Sequence, residues 1–255
     1  MKRLQFIALM LIAGLCSLGT SVAAETSGLC YELRIYHAAE GKLEALHSRF
    51  RDHTTKLFSK HGMTNVAYWV PQQNEGRRLI YLLSFPDAAA REASWKAFAA
   101  DPEWISVKAA SETSGTLVNK VESRLLGLTD FSLAVDEMKA GGTFEMRTYT
   151  ATPKNLPRLL SRFRDHTVAL FSKHGMQHFH YFTPLAGQPD AEDTLVYFLR
   201  HDSAEAQVKS FESFRSDPDW VKAKTESEAA AGGSLTIPDG VQSELMTATD
   251  YSPVK

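Results

Sequence analysis

From Tyr31 to His37 apolar and polar residues alternate and strand formers dominate, which predicts a half-buried β-strand. The period then changes. Between Lys42 and Lys60, the residues Leu43, Leu46, Phe50, Thr54, Leu57 and Phe58 fall on one arc of about 120° of a helical wheel, with Asp52 and Lys56 opposite. This predicts an amphipathic helix with one face on a sheet, and Gly62 after His61 reads as its C-cap. Two further strands are predicted at Asn65 to Val70 and Leu79 to Phe85, followed by an alanine-rich helix from Asp87 to Ala99. Asp101 before Pro102 is the pairing of an N-cap with proline at the first helical position, so another helix starts there. Val121 to Leu126 supplies a last strand.

The same pattern occurs twice. Ser48 to Met63 reads SRFRDHTTKLFSKHGM and Ser161 to Met176 reads SRFRDHTVALFSKHGM, matching at fourteen of sixteen positions at an offset of 113. The register extends outward: Tyr31 to Tyr36 (YELRIY) pairs with Phe144 to Tyr149 (FEMRTY), Tyr68 with Tyr181, and Pro71 with Pro184. After a three-residue insertion Tyr81 pairs with Tyr197, Phe98 with Phe214, and Asp101-Pro-Glu-Trp104 with Asp217-Pro-Asp-Trp220; Thr129-Asp130 later pairs with Thr249-Asp250. The expected domains are a first repeat over 25–132, a linker over 133–142 containing Gly141-Gly142, and a second repeat over 143–255. Each repeat has the order βαββαβ with one added helix, the split-βαβ arrangement of a ferredoxin-like α+β unit.

Such a unit covers one sheet face with helices and leaves the other bare. Two copies in one chain can close their bare faces on each other, so the fold expected is a pseudo-dimeric α+β barrel. The YELRIY and FEMRTY starts, the long helices ending KHGM, and the DPEW and DPDW segments, in the same order twice, resemble NIPSNAP domains. The resemblance covers nearly all of the chain after its first 24 residues. It implies membership of the dimeric α+β barrel superfamily, whose members include cofactor-free monooxygenases, isomerases and haem-using enzymes.

Composition adds compartment and excludes some partners. Met1-Lys2-Arg3, an apolar run from Leu4 to Leu18 and small residues ending Val22-Ala23-Ala24 have the order of a secretory signal peptide over 1–24, so a periplasmic or secreted mature chain starting at Glu25 is expected. The alternative is a lipoprotein signal at Cys16 or Cys30, against which stand the leucines preceding both. The apolar run is shorter than the roughly 18 residues of a membrane span, and no transmembrane segment is expected after cleavage. Beyond Ala24, 26 Lys and Arg face 30 Asp and Glu, a formal net charge of −4, which points away from nucleic acid and anionic lipid. Cys30 is then the single cysteine, either buried in the first strand or open to an intermolecular bond.

Candidate chemistry lies on the repeated positions. In the first strand Tyr31, Leu33 and Ile35 point one way while Glu32, Arg34 and Tyr36 point the other. If the apolar side meets the helices, Glu32, Arg34, Tyr36 and their counterparts Glu145, Arg147 and Tyr149 face the barrel interior or its mouth. There they form either a paired network that fixes strand register or a cavity whose Arg binds an anionic or carbonyl ligand. His53 and His166 lie beside the apolar arc, with Arg49 one turn before His53, and are candidates for function or for packing at the sheet edge. Tyr68 and Tyr181, paired by the repeat, complete the candidate set. His61 and His174 read as helix-end residues meeting open carbonyls. His47 is Leu160 in the second copy, and His178 and His180, on one strand face, are Asn65 and Ala67 in the first. Trp104 and Trp220 read as helix anchors or, alternatively, as the aromatic wall of a pocket.

No HExxH, no Cys pair and no i, i+4 histidine pair on a helix occurs, so no metal is expected; no GxSxG, Walker A or GxGxxG motif occurs either. The leading expectation is an exported binding module for a small molecule or a partner protein, needing no cofactor. The alternative implied by the resemblance is a cofactor-free or haem-using monooxygenase or isomerase, in which Tyr, Arg and His polarise a carbonyl and move a proton. Assembly into a homo-oligomer through outer strand edges is a third reading.

Overall fold

The computed structural model describes residues 28–132 and 141–255. The expected signal segment and most of the expected linker lie outside the described residues. The first repeat runs β1 (Cys30–Ala38), α1 (Leu43–Arg49), a π-helical stretch Phe50–Thr54, α2 (Thr55–Lys60), β2 (Thr64–Pro71), β3 (Arg78–Phe85), α3 (Ala88–Ala100), α4 (Pro102–Ser111) and β4 (Val118–Leu128). The second runs β5 (Thr143–Ala151), α5 (Leu156–Arg162), a π-helical stretch Phe163–Thr167, α6 (Val168–Lys173), β6 (Gln177–Pro184), β7 (Thr194–His201), α7 (Ala204–Ser216), α8 (Pro218–Ala231) and β8 (Thr236–Ala248).

The order βαββαβ with an added helix is therefore present twice, as the periodicity predicts. Asp101 and Asp217 cap α4 and α8 by accepting the backbone N–H of Glu103 and Asp219 at 2.8 and 2.9 Å. Gly62, at φ 77°, ends α2 with Met63 N–H bonded back to Phe58 O at 3.0 Å, a Schellman closure that needs a left-handed residue. The helix predicted from Lys42 to Lys60 is continuous but widens into a π turn. Thr54 Oγ1 donates to Arg49 O, five residues back, at 3.1 Å, and Thr167 does the same to Arg162 O at 3.1 Å.

Among the described residues all strand pairs are antiparallel, and eight strands close in the order β1-β3-β2-β8-β5-β7-β6-β4. The closing ladders join repeats: Trp69 to Pro71 of β2 pair with Met246 to Ala248 of β8, and Leu126 to Leu128 of β4 with Phe182 to Pro184 of β6. One chain thus closes its own barrel, and every strand edge on the ring finds a partner at the closed end.

The tails following β4 and β8 are exchanged. Thr249 N–H donates to Tyr68 O at 2.9 Å and Tyr68 N–H to Ser252 Oγ at 2.9 Å; in mirror fashion Thr129 N–H donates to Tyr181 O at 2.9 Å and Tyr181 N–H to Ser132 Oγ at 3.1 Å. Arg51 forks onto Asp250 at 2.6 and 2.8 Å, and Arg164 onto Asp130 at 2.8 and 2.7 Å. Between these anchors Tyr251 packs into the helix–sheet core of the first repeat and Phe131 into that of the second. The fit is matched to each socket: His47 Nδ1 bonds Tyr251 Oη at 2.8 Å, whereas the second copy has Leu160 against the Phe131 cluster.

The barrel interior corrects the face assignment. Tyr31, Leu33, Ala67, Trp69, Ile80, Leu82, Leu126, Phe144, Phe179, Phe182, Val196, Phe198 and Met246 form its core, so the apolar side of β1 points inward. Glu32, Arg34 and Tyr36, with Glu145, Arg147 and Tyr149, lie on the opposite face, beneath the helices, and not inside the barrel. Both sheet faces are buried, so alternation separates them without saying which meets the helices. Helices α3 and α7 supply donors for carboxylates, whereas the inward-facing neighbours of β1 and β5 at this level are apolar and aromatic.

Candidate functional site

The site grows from Glu32, which is fully buried. Its Oε1 receives Arg34 Nη1 at 2.6 Å, Arg91 Nη2 at 2.8 Å and Ser123 Oγ at 2.6 Å; its Oε2 receives Arg91 Nε at 2.8 Å and Trp95 Nε1 at 2.7 Å. Burial pushes this carboxyl up, but the Arg91 hydrogen bonds, the Arg34 charge, Ser123 and Trp95 outweigh it and bring the pKa down to about 2. Glu32 in turn fixes Arg34, whose Nε donates to Tyr81 Oη at 3.0 Å and whose Nη2 reaches Tyr36 Oη at 3.5 Å. The guanidinium carbon lies 4.3 Å from the Trp95 ring centroid, a cation–π stack that locks its plane.

The second repeat keeps the node and changes its donors. Glu145 is again fully buried, with Arg147 Nη1 at 2.5 Å, Ser243 Oγ at 2.5 Å, Gln207 Nε2 at 3.1 Å and His201 Nε2 at 2.9 Å. Gln207 stands where the first repeat has Arg91, and Phe211 where it has Trp95. The donor lost with Trp95 is regained from His201, which stands at the position of Phe85. Burial again opposes ionisation, and His201, Arg147 and Ser243 bring the Glu145 pKa to about 2. A donor set rebuilt by different residues around the same carboxylate is the mark of a buried charge that must be satisfied.

Beside the first node a cavity of about 240 Å³ opens between sheet and helices. Tyr36, Phe50, Phe58, Phe98 and Trp104 give it an aromatic lining, and Arg49, Glu112 and Lys108 supply its charges. Arg49 is 5% exposed; its Nη1 donates to Glu112 Oε1 at 3.0 Å and Ser111 Oγ at 3.2 Å, and its guanidinium lies 5.3 Å from the Trp104 centroid. Its Nε is buried with no hydrogen-bond partner. Arg162 repeats the arrangement, with Ser227 Oγ at 3.4 Å, Glu228 at 3.6 Å, Trp220 at 5.2 Å and an unpartnered Nε. Burial lowers the pKa of Arg162, the charge of Glu228 opposing the shift. The π turn begins at the residue after each of these arginines, and wide turns of this kind are frequent where a helix serves a site.

The structure therefore gathers Glu32, Arg34 and Tyr36 into one network with Tyr36 on the cleft wall. Tyr68 and Tyr181 are fully buried under the helices and hydrogen-bond to Asn65 and, at 2.6 Å, to His178. His53 and His166 do not join: both are exposed, and His166 lines an open outer groove with Arg162. The helical wheel placed them at the border of the apolar arc, and the π turn rotates them outward. His61 and His174 do not meet helix-end carbonyls through their rings; they bond Asp101 at 2.6 Å and Asp217 at 2.7 Å, the caps of α4 and α8. A bulge between His178 and Tyr181 separates the histidines expected on one face: His178 turns to Ser172 and Tyr181 under the helices, His180 to Tyr31 and Phe182 inside the barrel. Cys30 is 1% exposed, and burial raises its thiol pKa, so it takes the buried-strand alternative.

Sequence reasoning missed Arg49, Ser111 and Glu112 as a unit. Their repetition as Arg162, Ser227 and Glu228 was the available signal, but a separation of more than sixty residues hides a contact. Among the described residues no cluster of three or more His, Cys, Asp or Glu is placed to hold a metal ion, and no helix is long and apolar enough to cross a membrane.

No curated protein matches the chain at a significant level. Over nearly its full length the fold is similar to that of solved structures at low identity. A Fusobacterium nucleatum protein provisionally assigned as a monooxygenase aligns with a TM-score of 0.57 and 11% identity, over 88% of this chain and 93% of its own. An anthrone oxidase-like protein aligns with a TM-score of 0.54 and 12% identity, over 88% and 92%. A Lactobacillus acidophilus protein, also provisionally a monooxygenase, gives 0.51 and 9%, over 89% and 99%. The NIPSNAP family model matches twice, over residues 31–133 and 144–253. With both halves of the barrel so matched, this chain belongs to the NIPSNAP family.

Proposed function

We propose that the protein is a binding module whose first repeat holds a single-ring aromatic acid in the cleft between β1, β4 and the helices. The observation that carries this reading is the aromatic cavity of about 240 Å³ with the buried Arg49 at its wall. An apolar cavity of about 150 Å³ is enough to hold benzene, so there is room for one substituted ring. Leaving a buried guanidinium N–H unpaired costs on the order of 1–3 kcal/mol, which an acceptor on the ligand offsets. Tyr36 offers a hydroxyl to the same group, and Arg34, held by Glu32, orients that hydroxyl. Titration with benzoate, followed by tryptophan fluorescence, tests the proposal. Binding is expected to weaken at least tenfold in Arg49→Met and to be little changed in His53→Ala; absence of benzoate binding, or binding indifferent to Arg49, refutes it.

A second reading takes support from the full-length likeness to an anthrone oxidase-like protein and to two provisional monooxygenases. In it the Tyr36 and Arg34 pair would stabilise an enolate or phenolate that reacts with dioxygen without a cofactor. Oxygen uptake on addition of anthrone, lost in Tyr36→Phe, is the expected result; no uptake removes it. The export-signal character of residues 1–24 supports activity outside the cytoplasm, to be checked by finding Glu25 as the mature amino terminus.

A further inference from the structure

The aromatic core fills only part of the barrel. Toward the end where β1 and β5 run out, the interior opens into a chamber of about 530 Å³ lined by Leu33, Ile35 and Met146, by Thr148 and Thr150, and by charged groups of β3, β4 and β8. Its position follows from strand alternation. Glu122, Arg124 and Leu126 share the inward face of β4, as Gln242, Glu244 and Met246 share that of β8, so the apolar core gives way to charge two residues along each strand. Both repeats build this chamber, and it lies on the opposite face of the sheet from the Tyr36 cleft.

We propose that this chamber is a second binding site, for a small zwitterion with an apolar body, the charge pattern of a free amino acid or short peptide. Its walls carry two arginines, Arg78 and Arg124, and two carboxylates, Glu122 and Glu244, so the lining is neutral yet charge-separated. A ligand of one sign would meet a repelling group as well as an attracting one; a zwitterion can satisfy both. Arg78 and Glu244 are forked onto each other and brace the two repeats. The free capacity lies on β4. Glu122 takes His37 at 2.7 Å and Lys120 at 2.9 Å on the same oxygen, Oε1, which leaves Oε2 for an ammonium. Arg124 meets Asp190 through Nη2 at 2.7 Å, and Asp190 is not part of the lining, which leaves guanidinium donors for a carboxylate. Leu33, Ile35 and Met146 form the floor for an apolar body.

Isothermal titration of the mature chain with L-leucine, L-phenylalanine and L-leucyl-L-leucine tests this. At least one is expected to bind with one site per chain. Its N-acetyl and methyl-ester forms, each lacking one charge, should bind at least tenfold more weakly, as should the parent zwitterion to Arg124→Met and Glu122→Gln. Arg49→Met should leave zwitterion binding unchanged, and Arg124→Met should leave benzoate binding unchanged, so each site fails or stands alone. Circular dichroism of both chamber variants guards against unfolding. Failure of all three zwitterions to bind, equal binding of the blocked forms, or indifference to both substitutions overturns the proposal.

Discussion

Replacing Glu32 with Gln separates what this carboxylate contributes through its charge from what it contributes through its shape. Glu32 has an ordinary pKa of 4.5 and a folded value of about 2. A group whose pKa is depressed by folding stabilises above its unfolded value, and that stability is lost as pH falls through the folded one. Each unit corresponds to about 1.4 kcal/mol, so Glu32 contributes on the order of 3 kcal/mol that disappears between about pH 4.5 and pH 2. The assay is urea unfolding of the chain from Glu25 onward by tryptophan fluorescence at half-unit steps from pH 7 to pH 2. Glu32→Gln is expected to be less stable at pH 7 by several kcal/mol, because Arg34 and Arg91 lose their buried counter-charge. It should also show a shallower decline below pH 4.5, missing close to one proton. If the variant follows the wild-type slope throughout this window, the carboxylate is not ionised in the folded protein and the network is wrongly described.

The remaining predictions are smaller. Trp95→Phe should cost about 1–2 kcal/mol by removing the indole donor to Glu32, and adding Phe85→His, the second repeat's solution, should restore part of it. His178 and His180 are held to pKa values of about 4 by burial, so they stabilise fully above their ordinary 6.5 and lose that contribution as pH falls from 6.5 toward 4; His178→Asn, the first repeat's residue, should flatten this window in unfolding curves. Tyr251→Ala should destabilise by about 2–4 kcal/mol through loss of a partly buried ring packed against the first repeat's core, whereas Arg51→Ala, breaking an exposed ion pair on the same tail, should cost no more than about 1 kcal/mol in the same urea assay.

Much of this architecture was legible because duplication wrote each element twice. Tyr31 to His37 and Leu79 to Phe85 were found within a residue of β1 and β3, and Asp101-Pro102 marked the start of α4. The barrel followed from a bare sheet face and an available second copy. What stayed hidden depended on contacts between distant segments. Period-two alternation in β1 divides Glu32 from Leu33 without naming the inner face, because helices bury one side and the other repeat buries the other. The π turn leaves the apolar arc of the helix intact, yet it carries His53 to the surface. Arg49 and Glu112, like Arg91 and Glu32, lie too far apart in sequence for spacing to join them. The tail exchange did leave a trace: His47 changes to Leu160 where Tyr251 changes to Phe131, a polar pair replaced by an apolar one. In a single sequence that trace reads as two unrelated differences.

The proposed benzoate cleft lies between sheet and helices, on the face of Tyr36 and Arg49, while the aromatic end of the barrel interior is filled by Trp69 and its neighbours. The indole N–H resonances of the four tryptophans in a nitrogen-15 correlation spectrum, recorded as benzoate is added, report on these locations separately. The prediction is a saturable shift of the Trp104 signal, abolished in Arg49→Met, with the Trp69 signal unmoved. A shift at Trp69 with Trp104 unchanged, or no shift at any of the four, would contradict it.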